Sequence, residues 1–101
     1  MIIYNVTVKV SQKVAHEWVR WMKEEHMPDL LKTGLFIESR LCRLLEQDEA
    51  DGITYSAQYM CDSLDDYHDY IRMHAPLMRD KGLKKFGDHM IAYRSVMRVE
   101  S

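Results

Sequence analysis

Hydrophobic residues follow two different periods along this chain, and the order of those periods restricts the fold more than any other feature of the sequence. Four segments place apolar side chains at every second position, the spacing of a β-strand with one buried face. Two segments place them three or four residues apart, the spacing of an amphipathic helix. The predicted strands cover residues 2–10, 35–46, 53–61 and 89–100. One predicted helix follows the first strand and the other follows the third.

Local signals predict where the helices begin and where they are interrupted. Ser11 is the predicted N-cap of the first helix and Asp62-Ser63 of the second, because their side-chain oxygens can accept a hydrogen bond from a free N–H in the first turn. Pro28 predicts an end or a kink in the first helix, because its ring removes a donor and disfavours helical geometry at the preceding residue. Pro76 predicts a similar break in the second helix.

The order β-α-β-β-α-β is that of a ferredoxin-like α+β domain, in which both helices cover one face of a four-stranded antiparallel sheet. The side chains of the central strands predicted to face the helices are Tyr4, Val6, Val8, Tyr55, Ala57 and Tyr59. Those predicted on the bare face are Ile3, Asn5, Thr7, Ser56, Gln58 and Met60, joined by Phe36, Leu44 and Val96. Monomers seldom expose an apolar surface of this extent, so we predict a homodimer whose two sheets pack face to face.

Length and charge exclude several classes of protein. The 101 residues suit one domain, residues 1–101, with one modest core. Fourteen basic and sixteen acidic residues give a net charge of -2, so we expect no nucleic acid or anionic membrane as a partner. No signal peptide or run of ~18 apolar residues is present. We therefore predict a cytoplasmic protein whose two cysteines, Cys42 and Cys61, are reduced thiols.

Short motifs along the chain resemble those of a known family. They are Trp18-x-x-Trp21-Met22, His26-x-Pro28, Thr33-Gly34-x-Phe36, Tyr55-x-x-Gln58-Tyr59 and Tyr93-Arg94. The sequence resembles, over nearly its whole length, a bacterial domain-of-unknown-function family of the dimeric α+β barrel superfamily. The resemblance implies a homodimer in which two sheets form a barrel with the helices outside. It implies no defined activity.

More distantly, the layout is similar to antibiotic-biosynthesis monooxygenases and haem-degrading monooxygenases. The latter combine an asparagine on the first strand, a tryptophan ending the third strand and a histidine on the second helix. Asn5 matches the asparagine, but Cys61 occupies the tryptophan position and His74 lies earlier in its helix than that histidine. The resemblance therefore disfavours haem binding, and we predict no cofactor.

Two histidines are predicted to face the helix-covered side of the sheet. His26 lies in the apolar stripe of the first helix, and His74 lies near the centre of the stripe of the second. The tyrosines predicted on that side are Tyr4, Tyr55, Tyr59 and Tyr93. A crevice of imidazoles and phenols can perform acid–base catalysis or orient a small aromatic ligand. Alternatively, each histidine makes one structural hydrogen bond. His26 is the best catalytic candidate because the helix interruption expected at Pro28 leaves space beside it.

The candidate ligand-binding residues are His26, Tyr55, Tyr59 and Gln58. Gln58 differs from the other three because it is predicted on the bare face with Asn5 and Thr7, inside a dimer barrel. There these groups can bind a ligand or form hydrogen bonds across the twofold axis. A pocket therefore has two possible locations, between helices and sheet or inside the barrel.

Charged side chains suggest two further sites. Asp65, His68 and Asp69 lie close together on the second helix, but no other region supplies an obvious further metal ligand, so we interpret them as a solvated helix face and predict no metal. Arginines on the outer strands can hold a carboxylate, or they can lie in solvent or in a salt bridge between subunits. These arginines are Arg40, Arg94 and Arg98.

Two functions remain compatible with these patterns. The first is a small homodimeric protein with a small-molecule-binding or structural role, since the fold pattern is complete and no catalytic motif is present. The alternative is a cofactor-independent monooxygenase or isomerase acting on a small aromatic or polyketide-like substrate, suggested by the predicted crevice beside His26.

Overall fold

The structure is a computed structural model that describes residues 1–101. The strands are β1 (Ile2–Val10), β2 (Glu38–Arg43), β3 (Ile53–Cys61) and β4 (Met90–Arg98). The helices are α1 (Ala15–Trp21), α2 (Met27–Lys32), α3 (Leu64–Met73) and α4 (Ala75–Phe86). A π-helical turn, Met22–His26, joins α1 to α2, and a 3-10 turn, Gly87–His89, precedes β4. No helix combines the length and the apolar character that crossing a membrane requires.

The four strands form one antiparallel sheet in the order β2-β3-β1-β4. In the middle of this sheet, Tyr4 on β1 lies opposite Tyr59 on β3 and opposite Val96 on β4. The predicted α+β, ferredoxin-like fold, with the first and third strands central, is confirmed. The two edge strands, β2 and β4, each have one side without a neighbouring strand in this chain.

The core lies between one face of the sheet and the helices. Alternate residues of the two central strands are buried there: Ile2, Tyr4, Val8 and Val10 from β1, and Tyr55, Ala57, Tyr59 and Cys61 from β3. Trp18, Leu30 and Tyr70 are the largest fully buried side chains that the helices contribute. The predicted assignment of the central-strand side chains to the helix-covered face is therefore confirmed, as the period of two requires.

The two predicted N-caps have different outcomes. Ser63 caps α3 as predicted, because its Oγ accepts a hydrogen bond from the Asp66 N–H at 3.2 Å. The prediction for Ser11 is wrong, since α1 begins only at Ala15 and has no side-chain cap. The Ser11 N–H donates to the His89 carbonyl at 2.8 Å, which extends the pairing of β1 toward the start of β4. A turn therefore separates Ser11 from the helix.

Pro28 does not end the first helical segment, which continues to Lys32. Met27 keeps helical dihedral angles, φ −64° and ψ −43°. In an α-helix, the ring of a proline clashes with the carbonyl four residues earlier, which here is that of Glu24. Glu24 lies within the π-turn, and this wider turn accommodates the proline. The interruption expected at Pro28 is thus a change of helical geometry just before the proline. The second break is at His74, where φ is −123° and ψ is −34°.

Side chains near the sheet edges depart from the predicted faces. Phe36 precedes the shortened strand β2 and is buried in the core, stacking on Tyr4 at 6.1 Å between ring centroids. Val96 pairs with Tyr4 and therefore shares its helix-covered face, while Tyr93 pairs with Thr7 and lies on the bare face. The predicted faces of all three residues are wrong. For Val96 and Tyr93, the pairing register of β4 sets the face, and that register is not visible in the alternation of a single strand.

Candidate functional site

A cavity of about 60 Å³ lies between the helix-covered face of the sheet and the helices. One water molecule needs roughly 10–15 Å³ measured in the same way, so the cavity has room for several waters or a small organic group. Sixteen residues line it and twelve are hydrophobic, which makes it an apolar pocket with few polar groups. The lining residues that carry polar side-chain atoms are Tyr4, Trp18, Trp21, His26, Tyr59, Tyr70, Arg79 and Arg94.

Tyrosines from adjacent strands and from α3 meet at this cavity. Tyr4 and Tyr59 are direct neighbours across β1 and β3, with ring centroids 5.8 Å apart. Tyr70 packs on Tyr4 at 5.6 Å. Burial raises the pKa of the Tyr59 and Tyr70 hydroxyls above the ordinary tyrosine value. Both phenols therefore stay protonated at neutral pH and can donate hydrogen bonds.

The π-turn positions His26 at the cavity. Its defining hydrogen bond runs from the Met27 N–H to the Met22 carbonyl, five residues earlier. In an α-helix, residues five apart point in different directions, whereas the wider turn brings Trp21 and His26 together. Their rings stack with centroids 4.6 Å apart. Single π-turns inside α-helices occur frequently at functional sites.

Three buried polar atoms at the cavity have no hydrogen-bond partner within the protein. They are Nδ1 of His26, the hydroxyl of Tyr59 and Nε of Arg79, which come from three different elements. Buried polar atoms are nearly always paired, and leaving one unpaired costs about 1–3 kcal/mol. No others occur among the side chains of this chain. The concentration of all three on one cavity marks it as the candidate site.

Arg79 brings a positive charge to the cavity from α4. Its Nη2 donates to the Tyr4 hydroxyl at 3.4 Å, a long hydrogen bond between residues 75 positions apart. Arg94, on the edge strand β4, is exposed and lines the cavity from the solvent side. No aspartate or glutamate lines the cavity. The polar part of the site is therefore rich in donors and positive in charge.

Burial lowers the pKa of His26 from 6.5 to about 4. Asp29 opposes this shift, while Lys81 and Arg94 add to it. His26 is consequently neutral at pH 7, so one ring nitrogen accepts a hydrogen bond or a proton while the other donates. A neutral imidazole and a protonated phenol at one cavity are the groups needed for acid–base chemistry on a small bound molecule.

The four sequence-predicted ligand-binding residues do not all meet at this cavity. His26 and Tyr59 line it. Tyr55 lies on the same face of the sheet but is outside the lining, where it packs on Trp18 with centroids 5.0 Å apart. Gln58 lies on the bare face, where its Nε2 donates to Ser56 Oγ at 3.4 Å. The cavity thus corresponds to the first of the two predicted locations, between helices and sheet.

Polar side chains on the bare face bond to one another within the chain. Ser56 Oγ donates to Asn5 Oδ1 at 2.6 Å, and Asn5 Nδ2 donates to Thr7 Oγ1 at 3.1 Å. His74, the other histidine predicted to face the sheet, stacks on Tyr70 with ring centroids 6.2 Å apart and does not line the cavity. On α3, Asp69 pairs with Arg72 at 2.9 Å, and no group of three or more metal-ligating side chains forms anywhere in the chain.

Sequence reasoning overlooked Arg79 and Tyr70. A signal for Arg79 exists, because it shares a helical stripe with three residues that are small or apolar, Ala75, Gly82 and Phe86, at spacings of four, three and four. An arginine within such a stripe is a candidate for an inward-facing charge. Tyr70 lies between Tyr67 and His74 at spacings of three and four, so it belongs to the apolar face of α3.

Comparison with known structures shows which proteins share this fold. A protein from Deinococcus radiodurans assigned to the antibiotic biosynthesis monooxygenases has a TM-score of 0.72 at 13% identity, over 100% of this chain and 94% of the other. A dimeric ferredoxin-like protein from an uncultured marine organism has a TM-score of 0.69 at 12% identity, over 99% and 95% of the two chains. Hydroxynitrile lyase from Passiflora edulis has a TM-score of 0.63 at 13% identity, over 99% and 95%.

These identities are low, so the similarities establish the fold alone. No curated protein sequence matches this chain. The sequence model of a domain of unknown function, DUF4286, matches residues 1–100. This match covers all the strands and helices that build the cavity. The chain therefore belongs to the DUF4286 family.

Proposed function

We propose that this protein binds a small molecule in the cavity beside His26 and acts as a homodimer. The observation that carries the proposal is the convergence of three unpartnered buried polar atoms, on His26, Tyr59 and Arg79, at one largely apolar cavity. A purely structural core would pair these groups or replace them with apolar side chains, because each unpaired group reduces stability. A ligand with complementary polar atoms would remove that cost while filling the apolar space.

A thermal-shift screen tests ligand binding, because a ligand that binds only the folded state raises the melting temperature. We expect hits among small aromatic compounds with one polar group. His26→Ala and Tyr59→Phe should each reduce the shift produced by a hit. His68→Ala, which changes an exposed histidine on α3 outside the cavity, should leave it unchanged. If no compound of a diverse library shifts the wild-type protein, or if hits are insensitive to both cavity variants, the proposal is wrong.

The bare face of the sheet supports the homodimer. Ile91 is 73% exposed, Tyr93 66% and Met97 41%, and all three lie on this face of β4. The hydrogen-bonded side chains of Asn5 and Ser56 lie on the same face, on the two central strands. A second copy of the same face would cover both kinds of side chain under twofold symmetry. A fold neighbour from a marine organism is itself described as dimeric.

Sedimentation equilibrium tests the dimer. The wild-type protein should have twice the mass of the 12.0 kDa chain. Tyr93→Asp should shift it toward the monomer, because a charge would be buried in the interface without a partner. Leu77→Asp is the matched control, since Leu77 is a 60% exposed apolar residue on α4, away from the sheet face. A wild-type monomer at working concentration would contradict the proposal.

Catalysis is the second candidate function, and the neutral imidazole of His26 favours it. At pH 7 this base lies at the same cavity as the Tyr59 hydroxyl, which can return a proton. A cofactor-independent monooxygenase or isomerase acting on a small aromatic or polyketide-like substrate would use such a pair. Two fold neighbours are described as a monooxygenase and a hydroxynitrile lyase. A folded His26→Ala variant that still binds a hit but no longer converts it would support catalysis, whereas unchanged turnover would eliminate His26 as the base.

A cytoplasmic location is part of the proposal. Cys42 and Cys61 are both free and lie on different strands, β2 and β3. Free thiols are typical of reducing compartments. Fractionation of cells that express the protein with its own termini tests the location, and recovery outside the cytoplasmic fraction would contradict it.

A further inference from the structure

We infer that the ligand of this cavity is a small organic anion, a carboxylic acid with an apolar body whose carboxylate is held by Arg79. The inference rests on the proposed function and specifies the chemical class of its ligand. It follows from three features of the site, which are its uncompensated charge, its excess of donors and its apolar lining.

The positive charge at the cavity lacks a counter-charge in the protein. The lining contains the guanidinium groups of Arg79 and Arg94 and no carboxylate. Neither arginine takes part in any of the seven ion pairs of the chain. Asp29, the acid that acts on His26, already lies 3.8 Å from Lys81 and 4.0 Å from Lys32. Arg79 is half-buried and its Nε is fully buried without a partner. Charged groups withdrawn from water are normally paired, so an anion from outside the chain would complete the site.

Arg79 and Tyr59 bring donors that suit a carboxylate to the cavity. A guanidinium presents parallel N–H donors to the two oxygens of a carboxylate, which is the strongest side-chain hydrogen-bonding pair. Nε of Arg79 is buried and has no partner, while Nη2 is oriented toward the Tyr4 hydroxyl. The Tyr59 hydroxyl adds a further donor without a partner in the protein. The donors exceed the acceptors, which favours a ligand rich in acceptor oxygens.

The remaining surface of the cavity favours an apolar body over a multiply charged one. Large side chains that are mainly apolar line the rest of the cavity; they are Trp18, Trp21, Met22, Met78 and Met90. A phosphate dianion would leave several oxygens against these apolar side chains, and that desolvation is costly. Methionine side chains adapt their shape, so they can adjust around a branched or aromatic group. Arg94, exposed on the solvent side, is suited to attract the anion toward the cavity.

Isothermal titration calorimetry at neutral pH and low salt tests the inference on the full-length protein. The probes are two matched pairs, benzoate with benzamide and isobutyrate with isobutyramide, and inorganic phosphate. We expect at least one carboxylate to bind about tenfold or more tightly than its amide, because only the acid forms the charge-assisted pair. Phosphate should bind more weakly than that carboxylate. These comparisons use the wild-type protein alone, so they do not depend on the folding of any variant.

Variants then locate the carboxylate. Arg79→Gln should weaken binding of the carboxylate about tenfold or more and leave that of the amide nearly unchanged. Arg79→Lys keeps the charge but removes the planar fork, so it should restore only part of the affinity. Arg72→Gln is the matched control, since Arg72 is exposed on α3 and its one ion pair is with Asp69. It should leave all affinities unchanged.

The outcomes separate this inference from the proposed function. Three results would exclude a carboxylate as the ligand while leaving a ligand site: an amide that binds as tightly as its acid, phosphate that binds more tightly than both acids, or Arg79→Gln without effect. If neither carboxylate binds up to about 10 mM and the thermal-shift screen yields only ligands without a carboxylate, the inferred class is likewise wrong. If nothing binds in either experiment, the proposed function fails as well.

Discussion

Acidification should destabilise this protein through His26. The folded protein holds the pKa of this imidazole at about 4, whereas the unfolded chain has the ordinary value of 6.5. As the pH falls below 6.5, the unfolded chain takes up a proton that the folded protein does not bind until the pH approaches 4. Protons therefore favour unfolding over this interval, and the free energy of unfolding decreases with decreasing pH. Outside the interval His26 has no further effect.

The size of the effect follows from the two pKa values. The full difference between them corresponds to roughly 3 kcal/mol in the free energy of unfolding. About 2 kcal/mol of this contribution is lost between about pH 8 and pH 5. For a domain near 100 residues, this loss lowers the melting temperature by about 10 °C. The shift arises mainly from burial among apolar groups, with Lys81 and Arg94 nearby and Asp29 only partly opposing them.

Urea unfolding at a series of pH values measures this loss, with Trp18 and Trp21 as fluorescent probes in the core. Protein concentration must be held constant, because the proposed homodimer would make the stability depend on it. His26→Gln removes the titrating ring, so wild type should lose about 2 kcal/mol more than this variant between about pH 8 and pH 5. His68→Gln, which alters an exposed histidine, should keep the wild-type pH dependence. Equal losses in wild type and His26→Gln would refute the buried, neutral state of His26.

Three further substitutions test the packing around the site. Tyr59→Phe should leave the free energy of unfolding unchanged or raise it by about 1 kcal/mol, because the hydroxyl has no protein partner to lose; a clear loss in urea unfolding would contradict this. Gly82→Ala should raise stability by up to about 1 kcal/mol through helix propensity, since its new Cβ would lie 3.1 Å from the flexible end of Met90 and at an ordinary contact distance of 3.6 Å from Trp21; destabilisation in the same assay would show that Met90 cannot move. Ser63→Ala should lower the free energy of unfolding by about 1 kcal/mol, because the Asp66 N–H would lose its cap. An unchanged melting temperature would show that the cap contributes nothing.

The sequence alone indicates which face of the sheet carries part of the candidate site, for a physical reason. Alternation in a strand puts Tyr4 and Tyr59 on the helix-covered face. Helical spacing predicts His26 in the apolar stripe of its helix, and the π-turn then sets its position at the cavity. Burial of apolar side chains produces both patterns among residues that are close in the sequence, so a short stretch of sequence is enough to recognise them. The same reasoning excludes Gln58 from this face, which matches its position on the bare side of the sheet.

Other features could not be read from local patterns. The hydrogen bond of the π-turn spans five residues, one more than in an α-helix, and Pro28 indicates only that the helix is disturbed nearby. The face of Tyr93 depends on the register of β4 against β1, which a shift of one residue would reverse. Arg79 reaches Tyr4 only because α4 packs over β1, bringing together residues 75 positions apart.

The amino-acid order alone therefore determined the succession of strands and helices, the ferredoxin-like topology and the faces of the two central strands, because hydrophobic periodicity is a property of neighbouring residues. Tertiary structure alone decided which polar side chains have no partner. His26, Tyr59 and Arg79 belong to separate segments, and only their packing shows that no other group of the chain pairs with their buried atoms. Hydrogen-bond satisfaction depends on every element packed around an atom, so it is settled only after the whole chain has folded.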